Sequence, residues 1–136
     1  MSTAEHLRDR VRAVVADAGG SLYEVSLLDE GLRRALERLN EAAGAEWTVS
    51  GLDGAAETSL PAAEQAWLGA WLVVGAAAYA VEARALQRVE RFDLNPGVPA
   101  ALLNWAVRQR EEFFAGLEGV RRRWLGRAVP YGPWEE

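Results

Sequence analysis

The chain has 136 residues, half of them apolar and about a quarter charged, with a formal net charge of −5. That is the size and balance of one globular domain with a real core, rather than of a disordered chain. It has no cysteine and a single histidine, His6, which excludes disulfide and thiol chemistry and a histidine-based metal site, and its acid excess argues against coating nucleic acid, which needs a basic surface.

The N-terminal stretch is charged from Glu5 on, with no apolar run behind it, and does not read as a signal peptide. Ser2 and Glu5 have the spacing of a capping box. Leu7, Val11, Val14, Val15 and Ala18 then share one helical face, with Arg8, Asp9, Arg10, Arg12 and Asp17 off it. Gly19-Gly20 is the expected stop. A second helix is expected from Ser26, with Asp29 and Glu30 in its first turn, where the dipole favours acids. Leu28, Leu32, Ala35, Leu36, Leu39 and Ala43 make its buried face, and Gly44 ends it. The insert EWTVSGLDGAAETSL, residues 46–60, is expected to form a short hairpin or an extended loop, turning at Asp53-Gly54.

The chain is organised around Ala66 to Val81, AWLGAWLVVGAAAYAV, an uncharged run of 16 residues. With Pro61 at its first turn, capped by Ser59 or Leu60, the helix is expected to continue to about Arg91. Trp67, Trp71, Val74, Ala78, Val81 and Ala85 form one stripe, and Leu68, Leu72, Gly75, Tyr79 and Leu86 a second beside it. A helix apolar all round is buried on every side or sits in lipid. The run is short of the ~20 residues a span needs, so no membrane is expected. So short a chain has few helices with which to surround this one. Trp67, Trp71, Gly75, Ala77 and Ala78 are therefore the expected contacts with a neighbouring subunit.

RFDLNPGVP, residues 91–99, is the clearest break, with Pro99 in the first turn of a last helix from about Ala100 to Leu125. Leu102, Ala106, Phe113, Leu117, Val120 and Trp124 line its inner face, and Gly116 and Gly119 weaken it locally. Arg121, Arg122, Arg123 and Arg127 have two readings: a solvated end matched to the helix dipole, or a contact surface for an acidic partner or phosphates. Residues 127–136 cannot continue the helix and are expected to form an extended arm, carrying Tyr131 and Trp134 between prolines. Trp134 reads either as a stray aromatic in a disordered end or as an interface anchor. The fold expected is mainly α: one domain, residues 1–136, a small bundle of about four helices around a long central one.

No catalytic constellation is present: no phosphate-binding glycine loop, no nucleophile elbow and no partner for His6. Glu111-Glu112 and Asp29-Glu30 are adjacent acids that point apart on a helix. No catalytic, cofactor-binding or metal-binding residue is assigned.

The order of these pieces, two capped helices, then WTVSGLDGAAETSLP, then a long Ala-rich helix with GAAAYAVEARAL, then a closing helix rich in Arg and Glu, resembles the head–tail connector (adaptor) proteins of tailed bacteriophages and related gene-transfer particles. The resemblance covers most of the chain, and its motifs are loose. It implies a structural virion protein of the neck, assembled in the host cytoplasm. Such subunits form a homo-oligomeric ring, commonly twelvefold, between the portal protein and a stopper or tail-completion protein. DNA passes through the lumen without sequence-specific binding. Arg121, Arg122, Arg123, Arg127, Tyr131 and Trp134 would then dock to the portal, or to a neighbouring subunit. The alternative is a cytoplasmic helical regulatory module that binds a protein or an apolar ligand.

Overall fold

The computed structural model describes residues 3–17, 19–20, 22–90 and 97–128, with the backbone alone at 88–90, 97–99 and 126–128. Four α-helices follow one another: α1 Ala4–Val14, α2 Val25–Ala43, α3 Gln65–Glu90 and α4 Gly97–Ala128, with a single 3-10 turn, Ala62–Glu64, leading into α3. The mainly helical bundle expected from the periodicity is what forms. α3 packs against α1, α2 and α4, and α2 also packs on α4.

The core follows the apolar stripes. Leu7 and Val11 of α1, Leu28, Leu32, Ala35 and Leu39 of α2, and Ala106, Phe113, Leu117 and Val120 of α4 close around Leu68, Leu72, Val73, Ala76, Ala77 and Ala80 of α3. Small residues set the approach distances. A Cβ on Gly31 would lie 2.7 Å from the Ala76 carbonyl, so α2 crosses α3 backbone to backbone. A Cβ on Gly75 would lie 2.8 Å from the Phe113 ring, and one on Gly116 would lie 2.6 Å from the Trp71 indole.

This packing corrects the route by which a neighbouring subunit was inferred. Ala77 is 0% exposed and Ala78 1%, and Gly75 lies under Phe113, all within one chain. Three surrounding helices suffice to cover α3. The small residues admit large side chains of the same chain rather than another subunit's backbone. Ala62–Gln87 is long and apolar enough to cross a membrane by length and composition, but 61% of its most apolar window is buried inside the bundle, as in a core helix.

Element boundaries depart from expectation for identifiable reasons. α1 is capped by Thr3, whose Oγ1 accepts from His6 N at 3.2 Å, not by Ser2. It ends at Val14, before the glycines. Ala16 takes the left-handed conformation (φ 59°), Ala16 N donates to Ala13 O at 3.4 Å and Asp17 N to Arg12 O at 2.7 Å. Those are the two bonds of a Schellman motif, with alanine where glycine is usual. Asp17, 3% exposed, then accepts from Leu22 N (3.0 Å) and Tyr23 N (2.8 Å) and fixes the turn into α2. α2 begins at Val25 after Glu24, without a side-chain cap, and ends as expected at Gly44, which is left-handed.

The insert contains no strand among the described residues, so the hairpin is corrected to an extended loop. Its turn is the expected one: Asp53 and Gly54 both have positive φ, and Ala55 N donates to Leu52 O at 3.1 Å. The two arms lie side by side, but hydroxyls replace the ladder. Thr48 N donates to Ser59 Oγ (2.8 Å) and Ser50 N to Thr58 Oγ1 (3.0 Å), beside one backbone bond, Ser59 N to Thr48 O (2.9 Å). The insert is tied to the bundle at two points. Ser50 bridges to Thr3 ahead of α1, and the Asn40 side chain of α2 pairs with both backbone groups of Trp47.

α4 begins three residues earlier than expected, at Gly97, with Pro99 in its first turn, and runs to Ala128. Positions 127 and 128 of the expected arm are therefore helical. Residues 129–136, including Tyr131 and Trp134, lie outside the described residues, as do Ser2 and the 91–96 turn.

Candidate functional site

At the end of the bundle where α3 begins and α4 ends, three tryptophans from separate parts of the chain meet. Trp67 comes from the first turn of α3, Trp124 from late α4 and Trp47 from the insert. Trp67 stacks on Trp124 with centroids 6.0 Å apart and planes 12° apart, and Trp47 meets Trp124 edge-on at 5.1 Å and 77°. Such pairs add about 0.5–1.5 kcal/mol each beyond the area they bury. The Arg123 guanidinium lies 5.7 Å from the centroids of both Trp67 and Trp124. It also grips Glu64, in the 3-10 turn, through Nη2 at 2.7 Å and Nε at 3.2 Å. The Glu64 side chain is only 14% exposed. The pair is therefore less screened than a surface ion pair, and its geometry is forked.

Trp67 remains 38% exposed, so the cluster has an inner part that holds α3, α4 and the insert together and an outer part open to contact. Around it lie Arg121, paired with Glu118 at 3.0 Å, and Arg122, whose Nε donates to the Glu118 carbonyl at 3.4 Å. Both are exposed. Ala128 lies five residues beyond Arg123, so these three arginines precede the last turn, where the dipole acts. Side-chain partners and aromatic rings, not the helix end, account for their placement.

Of the residues expected at interfaces, Trp67, Arg121, Arg122 and Arg123 share this end of the bundle. Trp71 is half-buried over Gly116, away from the open surface, and Gly75, Ala77 and Ala78 belong to the core. The Arg127 side chain, Tyr131 and Trp134 lie outside the described residues. Three members of the cluster went unassigned from sequence. Trp124 was read as core, Trp47 as part of a strand, and Glu64 only as a charge flanking the apolar run. Nothing in a single sequence links Glu64 to a residue 59 positions away.

Elsewhere the polar surface is occupied by pairs. Asp29 accepts from Arg8 at 2.8 Å, and Glu82 from Arg110 at 2.6 Å. Arg33 bridges Glu30 and Asp53, and its pKa is raised above the ordinary arginine value, chiefly by the hydrogen bond to Asp53. His6, Glu111 and Glu112 are exposed. No group of three or more metal-ligating side chains occurs among the described residues. A groove lined by Val14, Val15, Tyr23, Val81, Leu102 and Trp105 has a volume of about 220 Å³, below the ~300 Å³ of ordinary small-ligand pockets.

Fold and site together define a small helical-bundle protein whose most developed surface feature is an aromatic–arginine face built for contact. No family model matches the chain, and no match emerges among curated proteins or among solved structures.

Proposed function

We propose that this chain is a structural subunit of a head–tail connector, an adaptor that assembles into a ring below the portal of a tailed-phage-like particle. The observation that carries this reading is the Trp67–Trp124–Arg123 face at one end of the bundle, half open and flanked by exposed arginines. Tryptophan and arginine dominate the energetics of protein interfaces. The resemblance of WTVSGLDGAAETSLP and the following GAAAYA stretch to adaptors gives that contact surface its context. On this reading the chain catalyses no reaction and holds no cofactor. Its net charge of −5 suits a channel along which DNA slides. The Arg-rich part of α4 and the segment after it meet a neighbour in the particle, the portal or an adjacent subunit, and a stopper or tail protein closes the other side.

The test is co-expression with the portal protein encoded beside it, followed by measurement of particle mass and composition. A ring of several hundred kilodaltons on portal-bearing heads supports the proposal. A chain that stays small and ignores the portal overturns it, in favour of the helical regulatory module.

A further inference from the structure

We propose that the open face around Trp67, Arg121 and Arg122 receives the C-terminal segment, residues 129–136, of a second copy of this chain. The proposal rests on the ring reading and deepens it by naming which parts of two neighbouring subunits meet.

Three observations converge on that occupant. The first is charge. The face presents Arg121 and Arg122, exposed and held only by Glu118, beside the Arg123–Glu64 pair. VPYGPWEE ends in Glu135-Glu136, the only acids after Glu118, and carries no basic residue. In a chain of net charge −5, this arginine cluster and that acidic end are opposites. The second is shape. Trp67 keeps 38% of its surface open, and Pro130, Tyr131, Pro133 and Trp134 are residues that dock on aromatic surfaces in an extended conformation at low entropic cost.

The third is direction, which selects a second copy over the same one. Trp67 lies beside Gly119, with 3.9 Å between its ring and a Cβ placed there, so the face sits back along α4 from Ala128. A segment leaving Ala128 must reverse at once to reach it. A glycine just past a helix makes such a reversal easily. Here the residues are Val129 and Pro130. Valine is unfavourable in the left-handed conformation, and a residue before proline is driven extended. The segment is thus directed onward, and eight extended residues span about 26–29 Å, enough to reach across to another subunit.

The experiment uses the full chain with Tyr131→p-benzoylphenylalanine, mixed equally from unlabelled and nitrogen-15-labelled preparations and irradiated at concentrations up to the solubility limit. The expected photoproduct joins residue 131 to a peptide containing Trp67 or residues 119–124, and half of the joined pairs carry one label only. Cross-links confined within one chain, cross-links to another face, or none at all would each overturn the proposal. In parallel, the R121E/R122E chain and the E135R/E136R chain should each self-associate at least tenfold more weakly by sedimentation. Mixing the two, or combining all four changes in one chain, should restore association. Failure to restore would overturn the charge pairing. The two readings fail separately: cross-links without the chain on portal-bearing heads sink only the ring reading, and the chain on heads without these cross-links sinks only this contact.

Discussion

The indole of Trp71 lies directly over the backbone of Gly116, so close that a single methyl added at that glycine would sit 2.6 Å from the ring. α3 and α4 approach as they do because this position in α4 has no side chain. Three residues on, Gly119 faces Trp67 with a comfortable 3.9 Å for the same methyl.

The two glycines therefore predict opposite signs. Glycine costs a helix interior about 1 kcal/mol relative to alanine. Gly119→Ala should recover part of that and raise stability by about 0.5–1 kcal/mol. Gly116→Ala must displace Trp71 and should lower it by about 1–3 kcal/mol, the range of overpacking. Urea unfolding of both variants decides it, and a Gly116→Ala chain as stable as the parent would mean that Trp71 moves freely.

Ala77→Glu bears on what covers α3. If its apolar surface met a neighbouring subunit, the variant would fold and fail to assemble. Ala77 is fully buried inside one chain, so the glutamate is placed in the core with no partner. A buried unpaired carboxylate is expensive enough to neutralise itself or unfold its surroundings. The isolated chain should lose its cooperative thermal transition, as read by circular dichroism. A well-folded variant would return Ala77 to the surface.

Much of this architecture is legible in the sequence, and the rest is hidden for physical reasons. The apolar periods of α1, α2 and α4 place Leu7, Leu32 and Phe113 in the core, Gly44 marks a left-handed helix end, and Asp53-Gly54 marks a turn. These are local properties of short spans. The end of α1 is illegible because the left-handed residue is Ala16, which carries none of glycine's signal, while Gly19-Gly20 nearby carries it falsely. The insert reads as a hairpin because Trp-Thr-Val favours strands, yet its hydroxyls take over the bonds a ladder would make. The Arg123–Glu64–Trp67 cluster joins positions far apart, and only the crossing of α3 and α4 brings them together.

Ala16 yields a prediction with a definite sign. An alanine at φ 59° is held where only glycine rests without steric cost. Ala16→Gly should therefore stabilise the chain by about 0.5–1 kcal/mol, the opposite of what alanine-to-glycine changes do inside helices. Asp17→Ala should cost about 1–3 kcal/mol, because the amides of Leu22 and Tyr23 lose their acceptor. Hydrogen exchange at those two amides should accelerate well before global unfolding.

Arg123 and Arg122 are adjacent on α4 yet should behave differently. Arg123→Ala removes the forked pair with Glu64 and the guanidinium beside two indoles, for a loss of about 1–2 kcal/mol. Arg122→Ala removes an exposed side chain with one long bond and should stay within about 0.5 kcal/mol of the parent. Equal losses at the two positions would show that the cluster is not what holds this end together.

Asn40 is the residue through which the insert supports the aromatic face. Its backbone carbonyl accepts from the amides of Gly44 and Ala45 and so closes α2. Its side chain imitates a peptide group: Nδ2 donates to Trp47 O at 3.0 Å, and Oδ1 accepts from Trp47 N at 2.8 Å. Both backbone groups of Trp47 are thereby satisfied while its ring is held edge-on to Trp124. Asn40→Ala leaves the two groups without their partners in a half-buried setting, which should cost about 2 kcal/mol. Asn40→Asp keeps the acceptor and loses the donor, and should fall between the two. Because Trp47 braces Trp124, and Trp124 stacks on Trp67, the damage should reach the contact face. The near-ultraviolet tryptophan bands should weaken in the order parent, Asn40→Asp, Asn40→Ala, while the far-ultraviolet helical signal holds. If the bands stay unchanged while stability falls, the insert is pinned by Asn40 but does not position the tryptophans.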